Sequence, residues 1–393
     1  MRYRKEIDGL RALAVVPLIL YDAGISFFSG GYVGIDIFFV ISGYLITCII
    51  LEEIKLKKFS IIDFYERRAR RILPALTIVL TFTTIVSYWV LPPFLLKDYS
   101  QSLFSVATFS SNVFFFLRNG YFELQADKEL LSHTWSLAIE EQFYLFFPLL
   151  ITISGMFARK RLLFIITFIA ISSFLFALLD NNEANFYLIF SRLWELLLGA
   201  IVVFIPSKEI ARLTRWQRET IGLFGIVLIF YAIVLYDQDT VFSWYYPLLP
   251  VIGTCFVIVF ANFNTIAGTL LSNKVFTFFG LISYSLYLWY QPIFALLRIK
   301  SVVAPSDEII IVAIICTVAI AYISWKYIET PFRNKGSFTR VSVFKYAGVS
   351  ISMFVCLGLL GNYFNGYDSD SESKIYINTV QLLPKTEGHI QIS

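Results

Sequence analysis

The chain has 393 residues, of which 58% are hydrophobic, 18% aromatic and only 15% charged, with a formal net charge of +4. Soluble domains are about 25% charged, so this balance excludes a soluble globular protein, lends nothing to nucleic-acid binding, and marks an all-α polytopic membrane protein partnered first by a lipid bilayer. Two histidines, and four cysteines without CxxC spacing, give no metal centre and no disulfide framework to expect.

In chain order, MRYRKEIDGLR imitates the charged start of a signal peptide, but no small-residue cleavage site follows. The first apolar run is therefore read as a transmembrane helix. Runs long enough to cross a ~30 Å hydrocarbon core fall at 10–28, 33–51, 72–92, 134–156, 162–180, 188–205, 219–236, 245–262, 275–297, 308–328 and 344–363, which makes about eleven spans. The Ser- and Thr-rich stretch 99–117 is expected to form an interfacial or re-entrant helix instead of another crossing. With a cytoplasmic N-terminus and a periplasmic C-terminus, the cytoplasmic segments then hold 23 of the 32 basic residues, as the positive-inside bias requires. Counting 99–117 as a crossing would reverse every later segment. The membrane domain is accordingly 1–363, and 364–393 is read as a periplasmic tail or the linker stump of a removed domain, too short to bury a core of its own.

Ionisable groups at bilayer depth are costly unless they face a cavity or a partner. Arg11 and Asp22 are eleven residues apart, three helical turns plus about 20°, so they share one face, with Asp8 a turn before Arg11. In LSHTWSLAIEEQFYLFFP, the side chains of His133, Ser136, Glu140 and Tyr144 also share a face, with Glu141 beside them. A histidine with a carboxylate two turns deeper is the pattern of a general base and its charge-balancing partner. Interfacial snorkelling of Asp22 and a purely hydrogen-bonding His133 are the structural alternatives. Arg192 and Glu195 form an i, i+3 pair that neutralises itself and is read as structural. DFYERRARRILP sets Arg67, Arg68, Arg70 and Arg71 directly before a span. They serve either as topology anchors or as a clamp on the phosphates of a cytosolic donor.

The stretches EIDGLRALAV, FFSGGYVGIDIFFVISGYLIT, DFYERRARRILPAL, LSHTWSLAIEEQFYLFFPLL, SRLWELLLGA, GLISYSLYLW and YIETPFR occur in that order. Together they resemble the acyltransferase-3 family of bacterial inner-membrane O-acyltransferases, from Glu6 to about Arg333. The likeness is greatest to the branch in which a periplasmic SGNH-hydrolase-like domain follows, and the tail from Asn362 resembles its linker. The resemblance implies a multi-pass inner-membrane enzyme of about ten core helices. It would transfer an acyl group, usually acetyl from cytosolic acetyl-CoA and without a metal, to a hydroxyl of a periplasm-facing cell-surface glycan such as lipopolysaccharide O-antigen.

The resemblance also assigns residues. The family's Arg-x10-His motif falls on Arg11 and position 22, its Arg-x-x-Arg signature within Arg67, Arg68, Arg70 and Arg71, and its HTWSL-EEQ motif on His133, Glu140 and Glu141. It implies catalytic roles for Asp22, His133, Glu140 and Glu141, and donor binding by Asp8, Arg11 and the four clustered arginines. Two positions depart from the pattern: Asp22 replaces the family histidine, and LWYQP, with Tyr290 and Gln291, replaces LWHWP. An aspartate is shorter, cannot donate and accept as an imidazole does, and has an ordinary pKa near ~3.9 against ~6.5 for histidine. Either the substitution inactivates the site, or Asp22 or His133 does the proton work in a natural variant. The rival functional readings are a transporter or flippase and a catalytically silent scaffold for a glycan-modifying partner.

Overall fold

A computed structural model describes residues 3–122, 128–154, 159–179, 184–237, 245–261, 265–301, 305–334 and 336–367. Among these residues all regular structure is helical. The N-terminal part comprises α1 (Lys5–Asp22), α2 (Gly34–Lys55), α3 (Ile61–Val90), α4 (Pro93–Ala107), α5 (Ser111–Phe122) and α6 (Thr134–Ser154). There follow α7 (Arg159–Leu179), the single turn α8 (Ala184–Tyr187), α9 (Ile189–Val202), α10 (Ser207–Arg212), α11 (Arg215–Leu235) and α12 (Leu248–Phe260). The chain continues through α13 (Ile266–Leu271), α14 (Lys274–Lys300), α15 (Asp307–Ser324), α16 (Thr330–Arg333) and α17 (Arg340–Tyr363), with a π-helical turn at Trp325–Glu329.

Helix starts are written into the sequence. Ser60, Thr214, Thr265, Asn273 and Thr339 each cap a following helix with a side-chain oxygen that accepts a backbone N–H of its first turn. At Thr214 the cap is reciprocal, because the Gln217 side chain reaches back to the Thr214 N–H at 2.9 Å.

Seven helical stretches among the described residues are long and apolar enough to cross a membrane: Gly31–Lys55, Ile61–Val90, Thr134–Ile153, Arg159–Leu179, Arg215–Leu235, Asp307–Arg333 and Arg340–Tyr363. The other four expected spans correspond to α1, α9, α12 and α14, and each falls short for a physical reason. α12 has 13 residues, about 20 Å at 1.5 Å per residue, and α9 has 14. α1 and α14 are long enough, with 18 and 27 residues. They are diluted by the polar groups that they carry into the interior.

The stretch 99–117 is not one interfacial or re-entrant helix. α4 ends at Ala107 and α5 begins at Ser111, with Phe109 between them at φ 52°, a left-handed conformation that interrupts the helical path. Residues 368–393, which hold most of the expected tail, lie outside the described residues.

The packing places two close helix pairs at the centre. α14 meets α1 where Gly280 lies against the Asp8 carbonyl, so close that a Cβ at 280 would come within 1.8 Å of that oxygen. α2 meets α9 through Gly43 and Gly199 in the same way. α2 is the central element, with Asp36, Ile37, Phe39 and Val40 fully buried. At the perimeter α7, α11, α15 and α17 turn Phe164, Phe168, Val227, Ile311, Ile315 and Val349 outward. Such an apolar rim around a partly polar interior suits hydrocarbon as the surrounding solvent.

Candidate active site

Helices α1, α2, α3, α6 and α14 enclose a cavity of about 70 Å3 lined by Arg11, Arg68, Arg71, Ser42, Glu140 and Tyr144, together with Ser136, Tyr284 and Tyr287. Each helix contributes a polar side chain to this space. The Glu140 carboxylate accepts from Ser42 Oγ at 2.9 Å and from the Tyr144 hydroxyl at 3.1 Å. Glu140 is the one carboxylate among the lining residues, beside three guanidinium groups. Of the four residues expected to share a face, Ser136, Glu140 and Tyr144 line this space, whereas His133 does not and stands before α6.

The four clustered arginines separate into two kinds. Arg68 and Arg71 line the cavity. Arg68 stacks over the Tyr144 ring at 5.6 Å, and its Nε is buried without a hydrogen-bond partner. Arg67 instead pairs with Glu53 at 2.9 Å on a partly exposed surface. Arg70 is buried, bonds Glu66 at 2.9 Å, and donates to the carbonyls of Phe332 and Phe338 at 3.3 and 2.7 Å. Its guanidinium thus ties α3 to the α16 region and is spent on structure. Spacing along a helix could not reveal this, because adjacent arginines point about 100° apart and only the packed neighbours say which direction faces what.

Asp8 sits behind the cavity, 3.7 Å from Arg11 Nη1, and also receives the Tyr3 hydroxyl. Glu141 does not line the cavity. It is half-buried near Arg68, Arg71 and Glu140, and its buried Oε1 lacks a partner.

At the other end of α1, Asp22 is the last helical residue. The Tyr290 hydroxyl bonds its carboxyl group, and Arg298 donates to its backbone carbonyl. His133 stands one residue before α6 and is 4% exposed. Its ring lies edge-on to Tyr287 and Tyr290, with centroids 5.2 and 5.5 Å away. Neither ring nitrogen has a hydrogen-bond partner, although the Leu288 backbone lies nearby. Asp22 and His133 therefore flank the same tyrosine, which stands where the resemblance expected a histidine. From this end a polar chain runs back to the cavity: the Tyr287 hydroxyl bonds the His133 carbonyl and Ser136 Oγ, and both Ser136 and Tyr287 line the cavity.

Two groups escaped the sequence reading. Arg192 pairs with Glu195 at 2.8 Å as expected, but also with Asp36 of α2 at 2.9 Å. Four aromatic rings surround its guanidinium, including Trp135 at 5.7 Å. Asp36 could have been found by the reasoning applied to Asp22, since it too is a carboxylate inside an apolar run. Glu329, 2% exposed, accepts from Ser285 at 3.2 Å, pairs with Arg333 at 3.2 Å, and acts electrostatically on Arg11. No spacing rule links it to α1.

The model of the acyltransferase-3 family, described as an acyltransferase domain, matches residues 4–326. The chain belongs to the acyltransferase-3 family. This acyltransferase-3 chain is 34% identical over 362 residues to the O-acetyltransferase OatA of Staphylococcus aureus strain COL, and equally so to that of strain MW2. Each alignment covers 85% of this chain and 58% of the relative, so the chain spans under two thirds of the length of these curated relatives. No solved structure matches it. The acyltransferase-3 match includes every candidate residue from Asp8 to Glu141. It ends before Glu329 and before α17.

Proposed function

We propose that the chain is an integral-membrane O-acyltransferase that moves an acetyl group from cytosolic acetyl-CoA to a hydroxyl of a glycan on the far side of the bacterial inner membrane. The single observation that carries this reading is the cavity itself. Three arginines gather at one end, and a Ser136–Tyr287 bridge leads from it towards His133 and Asp22. The reading takes α1, α9, α12 and α14 as crossings beside the seven apolar stretches, with the N-terminus cytoplasmic and residue 364 onward extracytoplasmic. Lipopolysaccharide O-antigen is one glycan class of this kind.

Arg68, Arg71 and Arg11 supply planar forks for the donor's phosphates. The orphaned Nε of Arg68 is a donor awaiting an acceptor. A space of about 70 Å3 is far below the ~300–1,000 Å3 of whole-ligand pockets, so it suits the narrow acyl end of the donor, with the nucleotide end outside it. At the other end His133 or Asp22 takes the proton of the acceptor hydroxyl. The hydroxyl oxygen bonds to the acetyl carbon, the carbon–sulfur bond breaks, and the thiolate of CoA leaves and is protonated.

The test measures radiolabelled acetate on surface glycan, and consumption of acetyl-CoA, in membranes carrying the wild-type chain, Asp22→His, and Arg68→Ala with Arg71→Ala. Transfer by the first two that collapses in the double variant is expected. Undiminished transfer in the double variant removes the clamp, and no labelled glycan with either the wild type or Asp22→His overturns the transferase reading.

A further inference from the structure

At the Asp22 end a second concavity opens to the outside. It has a volume of about 520 Å3, and its lining includes Trp89, Phe94, Lys128 and Lys300. A recess of about 30 Å3 continues from it, sharing Leu95 and Lys128, and contains Asp98, Arg118 and Glu129. Arg118 pairs with Asp98 and lies 3.6 Å from Glu129.

Two stretches of chain run from the trough to the Asp22 and His133 region. Lys300 lies two residues beyond Arg298, which holds the Asp22 carbonyl. Glu129 begins the strap that ends at His133, and the Gln291 amide fixes that strap by donating to the Glu129 carbonyl and to Ser132 Oγ, both at 3.0 Å.

We infer that this trough binds the acceptor glycan, with Trp89 as the platform for a pyranose ring and Lys128, Lys300, Asp98 and Glu129 as partners for its hydroxyls. The inference rests on the transferase reading for the occupant's role. Its chemistry comes from the trough. Trp89 is 80% exposed and Phe94 51%, and an aromatic face accepts the C–H face of a sugar while polar groups take the rim. A phospholipid headgroup would also meet the two lysines, but the Arg118, Asp98 and Glu129 side chains beside them offer both donors and acceptors, the complement of a sugar's hydroxyl groups. A volume of about 520 Å3 lies in the usual range for a small-ligand site, ~300–1,000 Å3.

The experiment uses the full chain in zwitterionic nanodiscs and beads carrying surface polysaccharide of the expressing strain, stripped of ester groups by mild alkali. Wild-type protein is retained, Trp89→Ala with Lys300→Ala weakens retention about tenfold, and Trp89→Phe restores most of it. Both side chains lie at the surface, so the fold tolerates the change. Trp216, 81% exposed on α11, is the control, and Trp216→Ala retains polysaccharide as the wild type does. The inference is overturned by equal retention of the double variant, by no retention of the wild type, by an equal loss in Trp216→Ala, or by release with anionic phospholipid vesicles but not with free polysaccharide. Polysaccharide that is retained through Trp89 but never acetylated would instead sink the transferase reading and leave the trough as a glycan site.

Discussion

Ser136 on α6 and Tyr287 on α14 share a hydrogen bond of 2.6 Å between their hydroxyls. The direction of that bond is fixed by a third group. Tyr287 has one proton and gives it to the carbonyl of His133, which can only accept, so Ser136 donates to Tyr287. One buried phenol thus joins the cavity wall to the backbone of the histidine. Tyr287→Phe breaks both bonds, costs about 1–3 kcal/mol by leaving buried partners unsatisfied, and lowers glycan acetylation at least about tenfold. Thermal unfolding in detergent beside acetate release from the glycan measures both, and full activity with a lowered melting temperature would reduce Tyr287 to a packing role.

Arg68 and Arg70 are two residues apart and are expected to fail differently. Arg68→Ala weakens acetyl-CoA binding with little change in melting temperature. Arg70→Ala leaves two carbonyls without their donor and Glu66 with Arg340 as its remaining partner, and destabilises the fold by about 1–3 kcal/mol. Isothermal titration with acetyl-CoA and thermal unfolding of the two purified variants separate them. Equal melting temperatures would contradict the division of labour.

Asp22→His is expected to increase acetyl transfer and to add a pH-dependent limb near ~6.5, the ordinary pKa of an imidazole. The measurement is a pH profile of transfer between pH 5 and 8 for both forms. Identical profiles would show that position 22 does not handle the transferred proton.

Glu129 supplies a stability test. Burial pushes its carboxyl up to about 7, Arg118 opposes the rise, and Asp98 adds to it. The folded state therefore holds a proton that the unfolded state has already lost, so this group's contribution to stability declines as pH rises from about 4.5 to about 7 and is level above that. The Glu129→Gln variant escapes this decline. Its melting temperature relative to wild type should be higher at pH 8 than at pH 5, and a difference that is constant with pH would refute the account.

Arg192 holds Asp36 and Glu195 together in a fully buried cluster. Arg192→Ala leaves two carboxylates facing each other and should cost about 3–5 kcal/mol. Loss of folded protein on gel filtration is the readout, with Arg192→Lys as the milder comparison. Normal yield and melting of Arg192→Ala would show that the cluster is not a clamp between α2 and α9.

By itself the sequence determined the class. Hydrophobic content excluded a soluble fold, and the apolar runs located most of the long helices. Periodicity put His133, Ser136, Glu140 and Tyr144 on one face, and the last three face the cavity, because a helix has a fixed angle per residue and these are local consequences of composition and spacing. Tertiary structure decided which polar groups meet. Arg68 and Arg71 turn to the cavity while Arg70 is spent on Glu66. Asp36 reaches Arg192 across α2 and α9, and Tyr290 stands between Asp22 and His133. Those relationships join residues up to hundreds of positions apart through backbones that approach closely at glycines such as Gly43, Gly199 and Gly280. No local periodicity encodes such a meeting, since it depends on how the helices pack against one another.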